Sequence, residues 1–214
     1  MEHPQPIKAL LDTNIWLCTV THNSVLVPTT VKWGNIIGTV DVAAAKIRTL
    51  AGKSQEESNS IYDALKSIAM MSKAGSVVLC RSNETTFEEM HLRRPSLKGS
   101  GYDVFRGVDC RFVHGPLRRD FTITSDSSKQ ELKGEWYQFL GSIRDPRFLE
   151  LKKATGGNHT ADLYHLWTAE HSGLDFYITL DQKFVNAANL PKPIKTPVKV
   201  CTPAQFLKLW DARS

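Results

Sequence analysis

The chain has 214 residues, 41% of them apolar and 23% charged, so it is long enough to bury a sizeable core and has the balance of a soluble globular protein. Its 27 Lys and Arg against 22 Asp and Glu give a net charge of +5, which permits a polyanionic partner without demanding one. The opening "MEHPQPIK" lacks the apolar stretch of a signal peptide, and no segment is long enough to span a bilayer. A cytoplasmic protein with no membrane partner is expected. Cys18, Cys80, Cys110 and Cys201 show no C-x-x-C spacing, so reduced thiols are expected rather than a sulfur-built zinc site.

In chain order, "IKALL" (7–11) reads as a buried parallel strand, a near-continuous apolar run. Over 55–73, Ile61, Ala64, Leu65 and Ile68 share a helical face, with Ser54 and Glu57 as a capping box and Gly75 as a C-terminal cap. "SVVLC" (76–80) predicts the next strand, followed by a helix over 85–94 that must stop before Pro95. Residues 99–128 fit this scheme poorly and read as an inserted hairpin or a long loop. A helix over 129–143 stripes Leu132, Trp136, Leu140 and Ile143, with Ser128 and Glu131 as its cap pair. Another spans about 160–171 and ends at Gly173. Strands follow at "FYITL" (176–180) and "VKVC" (198–201), and a last helix opens with Thr202 as N-cap, Pro203 and Gln205. Strands alternating with helices imply an α/β three-layer sandwich with a central parallel sheet. No repeat or linker divides it, so residues 1–214 are expected to form one domain with an insertion at about 96–157.

Ligands of open α/β sheets bind at the carboxyl ends of the strands. Asp12 follows the first strand, Asp181 follows "FYITL", Asp162 opens the "TADLYHLWTAEHSG" helix, and Glu88 and Glu89 lie on the helix after "SVVLC". Acids that converge repel unless they protonate or find a cation. Hard oxygen donors without Cys or His suit Mg²⁺ or Mn²⁺, and such a site can serve displacement at phosphorus. Taken singly, each acid has a plainer reading as a turn former, helix cap or solvated surface charge.

The segment "ALLDTNIWL" resembles the opening strand of PIN-domain nucleases, "ADLYHLWTAEHSGLDFYITLDQKF" their closing block with two aspartates nineteen residues apart, and "VKVCTPAQFLKLW" their terminal strand and helix. "SVVLCRSNETTFEEMHLRRP" is similar to the glutamate-bearing segment of the toxin-like members. These four blocks cover somewhat under half the chain. Residues 15–75 are longer than in compact toxins, and 96–157 match nothing in the family pattern. The resemblance implies a PIN-like fold and an Mg²⁺- or Mn²⁺-dependent endoribonuclease. Asp12, Asp162 and Asp181 would hold the metal together with Glu89, which the phrase "TFEEM" selects, or Glu88 as the alternative. Thr13, Asn14 and Thr179 would orient the carboxylates. The resemblance further implies an RNA substrate, and leaves room for an antitoxin protein and a homodimer. The "QKF" after Asp181 departs from relatives that carry another acid there.

Basic clusters at "HLRRPSLK" and "RFVHGPLRR" single out Arg93, Arg94, Arg118 and Arg119 as phosphate contacts, with a solvated basic face as the plainer reading. His159 and His165 flank Asp162, and both are read as packed or exposed side chains rather than proton shuttles. Two other functions stay open. One is a non-catalytic PIN module that binds nucleic acid or a protein. The other is a small-molecule phosphohydrolase with an aspartyl nucleophile, which would want an acid where Asn14 stands.

Overall fold

Alternating apolar side chains along the first strand divide the interior in two. In the computed structural model, which describes residues 5–91, 100–117, 129–189 and 194–213, β1 (Ile7–Leu11) sits at the centre of a five-stranded parallel sheet. Its neighbours are β4 (Val77–Ser82) and β6 (Phe176–Ile178), with β5 (Cys110–Val113) and β7 (Lys199–Cys201) at the edges, in the order β5-β4-β1-β6-β7. Ala9 pairs with both Leu79 and Phe176, and these three face the same core. Leu10 and Tyr177 point to the opposite one. Both faces are therefore apolar, which is why these strands read as uninterrupted hydrophobic runs.

Helices cover both faces. On one side, α2 (Gln55–Lys73) and α8 (Pro203–Asp211) pack Leu65, Ile68 and Phe206 against Ala9, Leu79 and Phe176. The capping boxes operate as the sequence implies. Ser54 Oγ accepts from Glu57 N at 3.1 Å while Ser54 N donates to Glu57 Oε2 at 2.7 Å, and Thr202 and Gln205 repeat the exchange. Gly75 adopts φ 76°, where a side chain would be strained. On the other side, α4 (Lys129–Ser142), α5 (Pro146–Ala154) and α6 (Thr160–His171) bury Trp136, Phe148, Leu163 and Tyr164 in a cluster with Leu10 and Tyr177. The Trp136, Tyr164 and Phe148 rings meet edge to face at 5.5 and 6.1 Å. The chain is thus α/β, with a parallel sheet flanked by helices. Among the described residues no helix is long and apolar enough to cross a membrane.

The stretch 99–128 does not form a hairpin in its described part. It supplies β5, parallel to β4 with Leu79 beside Cys110. The hairpin lies instead at β2 (His22–Trp33) and β3 (Ile36–Ile47), an antiparallel ribbon that pairs with no other strand among the described residues. Its turn is Gly34-Asn35 with Gly34 at φ 62°, the first central position of a II′ turn. Three short helices complete the element order: α1 (Thr13–Leu17), α3 (Asn83–His91) and α7 (Gln182–Asn189). The expected stop of α3 before Pro95 and the Ser128 cap lie outside the described residues, as do Arg93, Arg94, Arg118 and Arg119.

Candidate functional site

The carboxyl ends of β1 and β6 meet through their last residues. Asp12 N donates to Ile178 O at 3.0 Å, which brings the turn after β1 beside the turn after β6. Asp12 then caps α1, with Oδ1 accepting from Thr13 N at 2.7 Å, and Oδ2 accepts from Thr179 Oγ1 at 2.6 Å. Asn14 ties the second turn to the first: Nδ2 donates to Thr179 Oγ1 and Oδ1 accepts from Leu180 N, each at 3.0 Å. Thr13, Asn14 and Thr179 thus hold a 4%-exposed carboxylate between two strand ends. Asp181, two residues beyond Thr179, caps α7 by accepting from Lys183 N and Phe184 N at 2.8 and 3.0 Å.

The glutamate that joins them is Glu88, not Glu89. Adjacent helical residues point about 100° apart, so only one of the pair can face the sheet edge. Glu88 Oε2 accepts from Thr13 Oγ1 at 2.6 Å and lies 3.1 Å from His165 Nε2, and Oε1 accepts from Trp136 Nε1 at 2.9 Å. Glu89 turns away to pair with Arg81 at 2.9 Å. Side-chain oxygens and nitrogens of Asp12, Glu88 and His165 lie within 4.8 Å of one another, and so do those of His159, Asp162 and Asp181. His159 Nδ1 stands 3.7 Å from both Asp162 Oδ2 and Asp181 Oδ2. Its backbone is left-handed at φ 58°, a conformation that costs a side-chain-bearing residue about 1–2 kcal/mol. His165, His159 and Trp136 are the members that sequence reasoning did not place here. For His165 the available signal was its position one turn from Asp162 on α6.

The two groups act on each other electrostatically. Burial pushes the Asp162 carboxyl up to about 7, and the charges of Asp12, Asp181 and Glu88 add to the rise against the pull of His165. Burial likewise holds Asp12 above the usual carboxylate range. Burial would raise Glu88 too, but the His165 charge and the three hydrogen bonds outweigh it and hold Glu88 low. For His165 burial favours the neutral ring, yet Glu88, Asp12 and Asp162 together push it up to about 9. A protonated imidazole therefore sits inside a cluster of acids.

The metal-free protein should accordingly lose stability as pH rises. His165 is raised from 6.5 to about 9, so its contribution is complete below 6.5 and is lost as pH climbs through 9. Asp162 is raised from 3.8 to about 7, so its penalty accumulates as pH rises from about 4 and is complete above 7. Both have the same sign, and the lowered Glu88 sets the acid limit below its ordinary 4.5. Melting temperatures of chelator-treated protein should be highest at roughly pH 4–5 and fall toward pH 9, the range over which the folded state holds more protons. A flat profile between pH 6 and 9 would contradict the charge assignments.

Beside the acids lies a cleft of about 350 Å³ lined by Asn14, Asp181, Arg48 and Lys53 over an apolar floor that includes Ile61 and Leu180. It continues into a second cleft of about 420 Å³ that shares Lys53, Ile61 and Leu180. Comparisons of the chain with protein-family models, curated proteins and solved structures gave no match.

Proposed function

We propose that the chain is a divalent-metal-dependent nuclease of the PIN type, hydrolysing phosphodiester bonds of RNA at the edge of the parallel sheet. The observation that carries this reading is a pair of side-chain groups near the carboxyl ends of β1 and β6, Asp12 with Glu88 and His165 and Asp162 with Asp181 and His159, whose charges act on one another. The choice of RNA, and the role as a toxin held by an antitoxin protein, rest on the motif resemblance alone.

The donor set suits a hard cation. Asp162 takes no hydrogen bond among the described residues, and the His159 ring stands 3.7 Å away. A carboxylate left without donors and driven to about 7 by burial and neighbouring acids is one that an Mg²⁺ or Mn²⁺ ion would return to its ionised form. Asp12, Asp162 and Asp181 would hold the ion, with Glu88 beside them. When bound, it would supply neutralising charge to the oxygens of a phosphodiester. The chain's own part is positional. Thr13, Asn14 and Thr179 orient Asp12, while Thr13, Trp136 and His165 orient Glu88. The cleft with Arg48 and Lys53 offers cations for phosphates leading to the acids.

A second reading, a non-catalytic PIN module, is favoured by one specific feature. Glu88 already accepts from three partners, and His165 supplies an internal cation where an ion would otherwise be needed. The two readings separate in one experiment. Purified protein is incubated with single-stranded RNA with EDTA or with millimolar Mn²⁺, beside Asp12→Asn and Glu89→Gln variants. The nuclease reading expects cleavage with Mn²⁺ only, lost in Asp12→Asn and retained per folded molecule in Glu89→Gln. Absence of cleavage, joined to a melting temperature that Mn²⁺ does not raise, would leave the binding module.

A further inference from the structure

The β2–β3 ribbon stands apart from the other described elements. From Leu26 to Ala43 every residue is exposed, and it carries nine of the large apolar side chains that the described residues leave open to water. A two-stranded hairpin standing alone is marginal in water, so twelve-residue strands of this composition call for something to cover them.

The register separates the two faces. Val27 pairs with Val42, Thr29 with Val40, Val31 with Gly38 and Trp33 with Ile36, and these pairs share one face. That face carries no charge until Asn23 and Lys46 at the base. The other face is broken by the pairs Pro28 with Asp41, Thr30 with Thr39 and Lys32 with Ile37. Pro28 also blunts the outer edge of β2 against strand addition, which leaves face packing as the route to burial.

We infer that the Val27–Trp33 face of the ribbon packs on the same face of a second copy of this chain, about a twofold axis. Three features select a second copy. The face is self-complementary in size: an axis between the Thr29–Val40 and Val31–Gly38 pairs sets Trp33 and Ile36 of one copy over Val27 and Val42 of the other. The same axis sets Val40 over Gly38, where a side chain would meet nothing within 4 Å and a hollow is left. The area is adequate. Val27, Val31, Trp33, Ile36, Val40 and Val42 are all open to water, Trp33 at 87% and Ile36 at 74%, and covering six such side chains would supply most of the roughly 800 Å² per partner of a standard interface. The charge is wrong for the alternative. Ribbon binding to RNA needs clustered cations, whereas β2 and β3 hold only Lys32, Lys46 and Asp41, two of which lie on the other face.

The test is the solution mass of the full chain across about 1–100 µM, a range that brackets micromolar association. Wild type is expected to approach twice the 24.0 kDa chain mass at the upper end. A Trp33→Glu, Val40→Glu double variant should remain at 24.0 kDa throughout, with a melting temperature equal to wild type at the dilute end, where both are monomers, because both side chains are exposed. Leu26→Glu, on the opposite face, should still associate. Wild type that stays monomeric, a dimer that survives the double variant, or a dimer lost equally in Leu26→Glu would each overturn the inference. So would an unchanged mass accompanied by loss of single-stranded RNA binding at low salt, which would assign the ribbon to nucleic acid.

Discussion

Asp162→Asn should inactivate the protein and stabilise it at the same time. Its carboxyl stands near 7 instead of 3.8, so at pH 8 the folded chain carries an ionised group in a place that disfavours it. A shift of this size corresponds to at most about 4 kcal/mol of penalty, less for the part of the group that solvent screens, and an amide of the same shape removes it. The gain should fade as pH falls toward 4, where the acid is neutral in both folded and unfolded chains. Cleavage of RNA with Mn²⁺ should drop by at least roughly 10²–10³-fold, the scale for losing one preorganised electrostatic group. Stabilisation by Mn²⁺ should shrink as well, since the ion loses a ligand. Thermal melts with and without the ion, beside a cleavage assay, read all three effects. Wild-type activity in this variant would remove the proposed centre, and a lowered melting temperature at pH 8 would remove its electrostatic account.

The opposite sign is expected for His165→Leu. The imidazole is 1% exposed, is pushed up to about 9, and touches Glu88 at 3.1 Å. Leucine fills similar space but leaves Glu88 and Asp12 facing each other without their shared cation. Breaking a buried ion pair from one side costs about 3–5 kcal/mol. Chemical denaturation should show this as a shifted midpoint at pH 7, and Mn²⁺ should restore part of the loss by replacing the missing positive charge. Pairing the change with Glu88→Gln should recover stability, because the orphaned charge then disappears. A single variant as stable as wild type would mean that the ring is neutral in the folded protein.

These two residues lie three positions apart on α6, yet the sequence offers no hint that one is a liability and the other its counterweight. What was legible beforehand depended on short-range physics. The bounds 55–73 and 160–171 coincide with α2 and α6, and the caps at Ser54 and Thr202 act as their i to i+3 spacing demands. The ribbon was missed although Gly34-Asn35 between two β-rich runs is a hairpin signal. Its apolar positions face water rather than the core, so they gave no burial pattern to follow. The strand Cys110–Val113 was missed for a different reason: it is a short edge strand, and partly exposed.

The sequence by itself determined the places of β1, β4, β6 and β7 and of α2, α4, α6 and α8, and that aspartates stand at the ends of β1 and β6 and the start of α6. Caps, turns and strand ends are decided by residues within about four positions, and those are visible in a line of letters. Only the tertiary structure decided that Glu88 rather than Glu89 reaches the acids, and that His165 and Trp136 hold it there. Those choices depend on the rotation of α3 about its axis and on charges acting through space across separations of 48 and 77 residues, a distance that chain order does not encode.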